Sequence, residues 1–264
     1  MFQNNVLVIA GKKQSGKSSL INFLYGHTLK QRGIIDKFSI YQTGELEVPS
    51  TLMAEHGNIT ETLGILDVDR DDVRYMEYAS VRIWPYIKHY NLATPLKSIA
   101  MSMYKVNKEL LYGTNADKNK PTQYKWMEFS SVVPKKELDQ LKKEGKLDQY
   151  MTGREFAQKM GDVMRSIYVD CFVDPCIDAI SMEGSELSLV GDCRFVNEFY
   201  KFKKEGAKVI KLLKSVDEDQ HKSETELDLI DNDEFDFVLD NREMSINQKN
   251  VAMMNKMKEW GWYA

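Results

Sequence analysis

The residues best suited to chemistry lie near the start of the chain, in the segment 11–18. Two glycines five residues apart are followed by Lys17 and Ser18, which is the spacing of a phosphate-binding P-loop. Glycine lets the backbone curl so that successive N–H groups point at phosphate oxygens, while the lysine can reach the β- and γ-phosphates and the hydroxyl can ligate Mg²⁺. The segment therefore predicts a site for ATP and Mg²⁺. The residues expected to bind this nucleotide are Gly11, Lys13, Gln14, Ser15, Gly16, Lys17, Ser18 and Ser19.

The sequence on either side of this loop supplies the elements that must position it. The apolar run that precedes it predicts a strand over residues 5–10, and the residues from Lys17 to about Lys30 predict a helix. Because a helix N-terminus carries partial positive charge, this order of elements favours an anion at the loop. A chance Gly-Lys-Ser turn is the alternative, but it does not require a strand before it and a helix after it.

A second pair of candidate residues, Asp192 and Arg194, follows a short apolar strand predicted at 187–191. Ligands of open parallel sheets bind at the carboxyl ends of the strands, so both side chains are expected to face the loop. Asp192 can hold Mg²⁺ or its water together with Ser18, and Arg194 can pair bidentately with a phosphate. A local ion pair between Asp192 and Arg194 is the alternative.

Two predicted helices carry further candidates for binding a second phosphate. Lys97 lies in the first turn of a helix that Thr94 is expected to cap, and Arg154 lies in the first turn of a later helix. A solvated side chain is the alternative for Arg154. Gly161, inside the second of these helices, costs stability relative to alanine, so it marks either the close approach of a base or tight packing between helices.

The composition excludes several classes of protein. The chain has 264 residues, of which 42% are hydrophobic and 29% charged, and its formal net charge of -4 argues against a protein that coats nucleic acid. No apolar stretch is long enough to span a membrane, and the N-terminus runs directly into the first strand without a signal peptide. The three cysteines indicate reduced thiols, and the four scattered histidines give no zinc pattern. We therefore expect a cytoplasmic protein with no stable nucleic-acid partner and no membrane association.

Strands that alternate with helices along the chain predict a parallel sheet with crossover helices. The expected fold class is α/β: a P-loop three-layer sandwich with a mainly parallel sheet, a helical lid and an inserted β-hairpin or irregular segment. We expect a single domain over residues 1–264, with the insertion at about 36–85 and the lid-like segment at about 113–152. Within the insertion, a hairpin is predicted around Thr43, whereas residues 50–80 lack strong periodicity. Their acidic run is typical of a solvated face, so this stretch is expected at the surface rather than in the core.

Five segments beyond the loop carry a resemblance to a known family. They are residues 90–97, 153–161, 191–198, 221–224 and 236–241. Together with the loop, and in this order, they resemble the bacteriophage deoxynucleoside monophosphate kinases. That family has an Ala-Asp-Pro-Leu-Lys-like stretch, an Arg/Gln/Gly helix, an Asp-x-Arg-Phe-x-Asn-Glu stretch, a His-x-Ser-Glu stretch and an acidic, Asn-containing strand end. The match covers most of the chain outside 40–80 and 113–150.

Three positions depart from the family pattern. Thr94 stands where the family usually has an acidic residue, Asp162 stands where it often has threonine, and Phe172 stands where it commonly has tryptophan. These departures bear on the preference for a particular base more than on the class of reaction.

The resemblance implies transfer of the γ-phosphoryl group of ATP to a deoxynucleoside 5′-monophosphate. It implies catalytic roles for Lys17, Arg154, Asp192 and Arg194, and Mg²⁺ ligation by Ser18 and Asp192. It implies that the substrate is bound by Lys12, Gln14, Lys97, Arg154, Gln158, Gly161, Asp162, Phe172, Arg194 and Glu198. Phe172 would stack on the base, with a place in the core as the equal alternative. The family would place the protein in the cytoplasm of an infected cell, and a homodimer is among the assemblies left open.

Two other functions are compatible with the loop. One is a P-loop ATPase, or a nucleotide-gated module, that acts on a macromolecular partner through the acidic 50–80 stretch or the lysine-rich 135–146 stretch. The other is a kinase for a different small molecule, such as a coenzyme precursor. A phosphoryl acceptor distinguishes either kinase from the ATPase.

Overall fold

The computed structural model describes residues 1–53, 59–214 and 226–263. The chain forms two compact units, of which one comprises Met1–Asn91 with Pro175–Ala264 and the other comprises Leu92–Asp174. We refer to them as the sheet unit and the inserted unit and describe each by itself. None of the described helices is long and apolar enough to cross a membrane.

A five-stranded parallel sheet organises the sheet unit. Its strands are β1 (Asn5–Gly11), β5 (Ile87–Tyr90), β8 (Leu187–Val190), β9 (Lys208–Leu212) and β10 (Phe237–Leu239). The spatial order is β10-β9-β1-β8-β5, so β1 lies at the centre with β8 and β9 as its neighbours. Residues 6–10 of β1 are all buried, as expected for a parallel strand covered on both faces. The α/β alternation and the parallel sheet predicted from the sequence are confirmed.

Helices connect these strands and complete the core. They are α1 (Lys17–Gln31), α2 (Val73–Arg82), α8 (Val173–Glu183), α9 (Val196–Lys204) and α10 (Ile246–Glu259). Leu7 and Ile9 of β1 share one buried cluster with Leu20 and Leu24 of α1 and with Met253 of α10. Burial of apolar area of this kind is the main favourable term in folding, and it fixes α1 against the strand that leads into it.

A three-stranded antiparallel sheet follows α1. It consists of β2 (Ser39–Ile40), β3 (Leu46–Met53) and β4 (Ile59–Leu66). The turn between β2 and β3 confirms the predicted hairpin. The expectation of an irregular surface segment at 50–80 is wrong, because this stretch contains β4 and most of α2, whose Tyr75 and Ala79 are buried. Backbone pairing with β3 stabilises β4, although Leu63 and Ile65 remain exposed, which weakens the hydrophobic alternation that marks a strand.

The inserted unit has its own elements and its own core. The elements are α3 (Thr94–Ser102), α4 (Lys108–Tyr112), α5 (Asn115–Lys118), β6 (Pro121–Lys125), α6 (Lys135–Lys143), β7 (Tyr150–Thr152) and α7 (Gly153–Ile167). Trp126, Met151 and Phe156 are buried together in this core. The predicted cap of α3 is wrong by one residue, because Ala93 is the N-cap and Thr94 is already helical.

The start of α7 confirms a capping box. Thr152 Oγ1 accepts a hydrogen bond from the backbone N–H of Glu155 at 3.2 Å, and Glu155 Oε2 accepts one from the backbone N–H of Thr152 at 2.8 Å. Each bond satisfies an N–H group that the helix itself leaves without an acceptor. This box fixes where α7 begins and therefore the position of Arg154 in its first turn.

Substitution of Gly26 by alanine is expected to lower the melting temperature. A Cβ atom at this position of α1 would lie 2.5 Å from Cδ2 of Phe38 and 2.6 Å from Cδ1 of Leu46. Overpacking costs about 1–3 kcal/mol, which exceeds the gain of roughly 1 kcal/mol from removing a helical glycine. Thermal unfolding checks the sign, and a higher melting temperature would contradict the close approach. The double variant with Leu46→Ala should lose less than the sum of the two single variants.

Candidate functional site

The phosphate-binding loop connects β1 to α1 in a conformation that needs glycine. Gly11 has φ 148°, Gln14 has φ 61° and Gly16 has φ 91°. A Cβ atom on Gly11 would lie 2.7 Å from Oγ of Ser15 and 3.0 Å from the carbonyl oxygen of Leu212. The left-handed backbone and these close contacts exclude side chains at the first glycine of the motif. The loop therefore depends on its glycines for steric reasons.

The ammonium group of Lys17 lies against backbone carbonyl groups at the start of the loop. Its Nζ donates hydrogen bonds to the carbonyl oxygens of Gly11, at 2.5 Å, and of Lys12, at 2.7 Å. Ser18 follows in the first turn of α1, and this turn contains no acidic residue that would oppose an anion. Ser15 is fully buried, and within the described part of the chain its hydroxyl has no hydrogen-bond partner. These groups can contact phosphate and Mg²⁺.

Asp192 and Arg194 lie at the end of the strand next to the loop. β8 pairs directly with β1, with Val190 opposite Val8, and neighbouring strands are about 4.8 Å apart. Asp192 therefore follows β8 at the same edge of the sheet as the loop. Glu198, expected to bind substrate, is buried and accepts backbone hydrogen bonds from Arg194 at 2.8 Å and from Phe195 at 3.1 Å. Its carboxylate thus fixes the backbone that carries Arg194.

A cavity of about 190 Å³ adjoins the loop on the β9 side. It is lined by Gly11, Lys12, Cys193, Arg194, Lys211, Leu212, Leu213, Leu227, Asp228 and Asn232. Lys12 Nζ lies 2.9 Å from a carboxylate oxygen of Asp228, and Lys211 Nζ lies 3.6 Å from the other. Cys193 is fully buried, and this burial raises the pKa of its thiol well above the usual value. The cavity therefore offers cations but no reactive thiolate.

A recess of about 300 Å³ adjoins the first two turns of α1. It is lined by Ser18, Ile21, Asn22, Glu45, Ile65, Leu66, Asp67, Val68, Asp69 and His89. His89 Nδ1 lies 2.7 Å from Oδ1 of Asp69, and Asn91 Nδ2 donates to the same oxygen at 3.0 Å. The side chain of His89 is only 5% exposed, and its Nε2 has no partner within the described residues. The acidic run thus does more than face solvent, contrary to the sequence-based expectation.

Six residues expected to bind or process substrate belong to the inserted unit. They are Lys97, Arg154, Gln158, Gly161, Asp162 and Phe172. Lys97 Nζ lies 4.2 Å from the ring centroid of Tyr112, a cation–π contact. Arg154 donates hydrogen bonds to the side-chain oxygens of Asn119 at 3.2 Å and Asn115 at 3.1 Å. Both cations are therefore held in place at the starts of their helices.

The remaining members of this group have contacts within their own unit. A Cβ atom on Gly161 would lie 3.3 Å from Leu96 of α3, which favours tight helix packing as the reason for this glycine. Oδ2 of Asp162 lies 3.9 Å from Nζ of Lys159. Phe172 is buried with the guanidinium of Arg165 4.6 Å above its ring, which favours the core alternative. Gln158 is half-buried on α7.

Two further segments carry the family resemblance, residues 221–224 and residues 236–241. Residues 221–224 lie outside the described residues. In 236–241, the Asp236 carboxylate accepts from Lys203 Nζ at 2.8 Å and from the backbone N–H of Val209 at 2.8 Å, so it joins β9 to β10. Asn241 donates from Nδ2 to the carbonyl oxygen of Ser15 in the loop at 2.8 Å.

Lys249 of α10 also contacts the loop, and sequence reasoning missed it. Its Nζ donates to the carbonyl oxygen of Gly16 at 2.8 Å. Burial lowers the pKa of Lys249 to about 8, with a further lowering by the charge of Lys214. A lysine in an amphipathic helix is normally interpreted as solvent-exposed. The sequence pattern therefore does not predict that Lys249 contacts the loop, and only the side-chain contacts reveal it.

Comparison with known proteins adds no assignment to this geometry. Neither the scan against protein-family models nor the search of curated proteins found a match to the chain.

The free energy of unfolding is expected to rise between about pH 8 and pH 10.5 because of Lys249. In this window the unfolded chain holds a proton on this lysine that the folded chain has released, so raising the pH favours the folded state. Denaturant unfolding at pH 7.5, 9 and 10 should show a smaller pH dependence in Lys249→Met than in the native sequence, by about 3 kcal/mol at most. Identical slopes for the two proteins would contradict the expectation.

Proposed function

We propose that this protein transfers the γ-phosphoryl group of ATP to a deoxynucleoside 5′-monophosphate and releases ADP and the diphosphate. The observation that carries the proposal is the glycine loop of β1 with Asp192 and Arg194 at the end of the neighbouring strand. The proposal includes a P-loop three-layer sandwich with a helical lid, and action in the cytoplasm of an infected cell. The family resemblance supports the choice of acceptor.

The donor half of the reaction needs positioning and charge neutralisation. Backbone N–H groups of the loop and Lys17 would bind the β- and γ-phosphates in place of the carbonyl oxygens that Lys17 now contacts. Ser18 and Asp192 would hold Mg²⁺, which would neutralise negative charge that develops during transfer. Preorganised donors of this kind supply much of the rate enhancement in phosphoryl transfer.

The acceptor half requires cations but no general base, because a monophosphate oxygen is already anionic. Arg194 supports this role within the sheet unit, since its backbone is fixed by Glu198 and it lines the cavity beside the loop. Gln14 and Lys12 would assist it. In the inserted unit, the family resemblance supports Lys97 and residues of α7 as substrate ligands. Among the residues of α7, Arg154 would bind phosphate.

The recess beside Ser18 supports a second candidate, a kinase for a hydroxyl-bearing small molecule. A hydroxyl acceptor must lose a proton during transfer, and Asp69, oriented by His89 and Asn91, is a carboxylate in the same recess as Ser18. A phosphate acceptor has no use for this base. The two candidates therefore differ in their dependence on Asp69.

Incubation with ATP, Mg²⁺ and each deoxynucleoside monophosphate is expected to yield the corresponding diphosphate and ADP in equal amounts. Product separation by anion-exchange chromatography measures both. ADP release that does not depend on an acceptor, or that requires DNA or a protein partner, would instead favour an ATPase. If the protein phosphorylates a nucleoside or another alcohol, and Asp69→Asn loses this activity, the second candidate is favoured. Phosphorylation of a monophosphate should keep its rate in Asp69→Asn.

Lys17→Ala and Asp192→Asn are each expected to lower kcat by on the order of 10²–10³-fold, because each removes a charge that stabilises the transition state. Arg194→Ala should raise KM for the monophosphate more than KM for ATP. Steady-state kinetics with either substrate varied provides the test, and circular dichroism checks the fold. Lys258→Ala, at an exposed position of α10, is the matched control. Unchanged kinetics in Arg194→Ala would remove Arg194 from the site.

A further inference from the structure

Two buried side chains from the later part of the chain support the loop through its carbonyl groups. Asn241, 2% exposed, follows β10, and Lys249, 3% exposed, lies near the start of α10. Asn241 Nδ2 donates to the carbonyl of Ser15 at 2.8 Å. Lys249 Nζ donates to the carbonyl of Gly16 at 2.8 Å and to Oγ of Ser19 at 2.5 Å. Two successive carbonyls of the loop thus have buried side-chain donors.

Because of the geometry of the peptide bond, a hydrogen bond to a loop carbonyl also orients the N–H group on the opposite side of the same peptide. A trans peptide is planar, and its C=O and N–H groups point in opposite directions. Fixing the carbonyl of Ser15 therefore sets the direction of the N–H of Gly16, and fixing the carbonyl of Gly16 sets the N–H of Lys17. These are the N–H groups that a P-loop directs at phosphate oxygens.

The orientation of Asn241 is itself fixed. Its Oδ1 accepts a hydrogen bond from the backbone N–H of Lys214 at 2.9 Å, while its Nδ2 is committed to Ser15. The same side chain therefore joins the loop to the segment that follows β9. A residue that could only accept, or only donate, would lose one of the two bonds.

Lys249 also brings a positive charge that no described carboxylate compensates. None of the carboxylates in the described part of the chain forms an ion pair with it, and α1 and the segment after β10 present the neutral Ser19 and Asn241. The charged group acting on it is Lys214, which repels it. An ammonium buried without a counter-charge is costly, and the N-terminus of α1 adds a positive partial charge beside it. An anion bound at the loop would relieve this repulsion.

We propose that Asn241 and Lys249 are positioning residues of the phosphate-binding loop, and that Lys249 supplies a buried positive charge that a bound polyphosphate compensates. The inference rests on the nucleotide-binding half of the proposed function and not on the identity of the acceptor. One consequence is linkage: because an anion at the loop stabilises the charged form of Lys249, polyphosphate binding near pH 8 is accompanied by net proton uptake.

Calorimetric titration of the full chain with Mg²⁺–ADP tests this proposal. Lys249→Met, which keeps an unbranched side chain one atom shorter but lacks the charge, should bind ADP roughly tenfold more weakly at pH 7, as should Asn241→Ala. Lys258→Met, an exposed lysine on the same helix, should bind like the native sequence. Between pH 7.5 and 9 the native protein should lose affinity as Lys249 deprotonates, and Lys249→Met should not. A purely structural lysine would not produce this pH step.

A second measurement needs no variant. Heats of ADP binding measured at pH 8 in two buffers of different ionisation enthalpy should reveal proton uptake by the native protein. The absence of uptake, or native affinity and an unchanged pH step in Lys249→Met, would overturn the proposal.

The outcome is separable from that of the kinase assay. If ADP binds with proton uptake and no acceptor is phosphorylated, the proposed reaction fails and the role of Lys249 stands. If an acceptor is phosphorylated while ADP binding shows neither proton uptake nor sensitivity to Lys249→Met, the reaction stands and the role of Lys249 is overturned.

Discussion

Parallel pairing of β1 with a strand on each side is the constraint on which the site depends. Val8 lies opposite Val190 of β8 and Val209 of β9, so three carboxyl ends meet at the loop. The register brings Asp192 to that edge from one side and Lys211 from the other. A slip of one residue would turn each of these side chains to the opposite face of the sheet. The apolar interior of β1, buried throughout, therefore specifies the chemistry at its end as well as the fold.

Features determined by nearby residues could be predicted from the sequence. The loop requires glycine because of local backbone angles and short contacts, and its spacing within a strand–loop–helix context is informative by itself. The capping box of Thr152 and Glu155 is likewise a local pattern. The main strands are apolar because they are buried, so burial and periodicity gave consistent predictions. Asp192 could be placed because it follows such a strand.

Features that depend on distant partners could not be predicted in this way. β4 exposes Leu63 and Ile65 and is stabilised by pairing with β3, which leaves a weak pattern in the sequence. From the sequence, the acidic run around Asp69 is expected to be solvated, but in the structure His89 of β5 contacts Asp69. Charge density along the chain carries no information about such a partner. For Gly161 and Phe172 the sequence suggested a substrate-binding role, whereas their contacts favour packing. Residue types that suit a ligand also suit packing between helices.

The contacts of the loop with Asn241 and Lys249 span 226 and 233 residues of sequence. During synthesis the ribosome therefore makes Ser15 226 residues before Asn241, and Gly16 233 residues before Lys249. Until those residues are made, the glycine loop lacks the side-chain donors that orient its peptide groups. Such long-range closure is slow in folding terms. A nascent chain that stops before Asn241 would carry the nucleotide motif without either support, so the loop reaches its supported geometry only after α10 has been made.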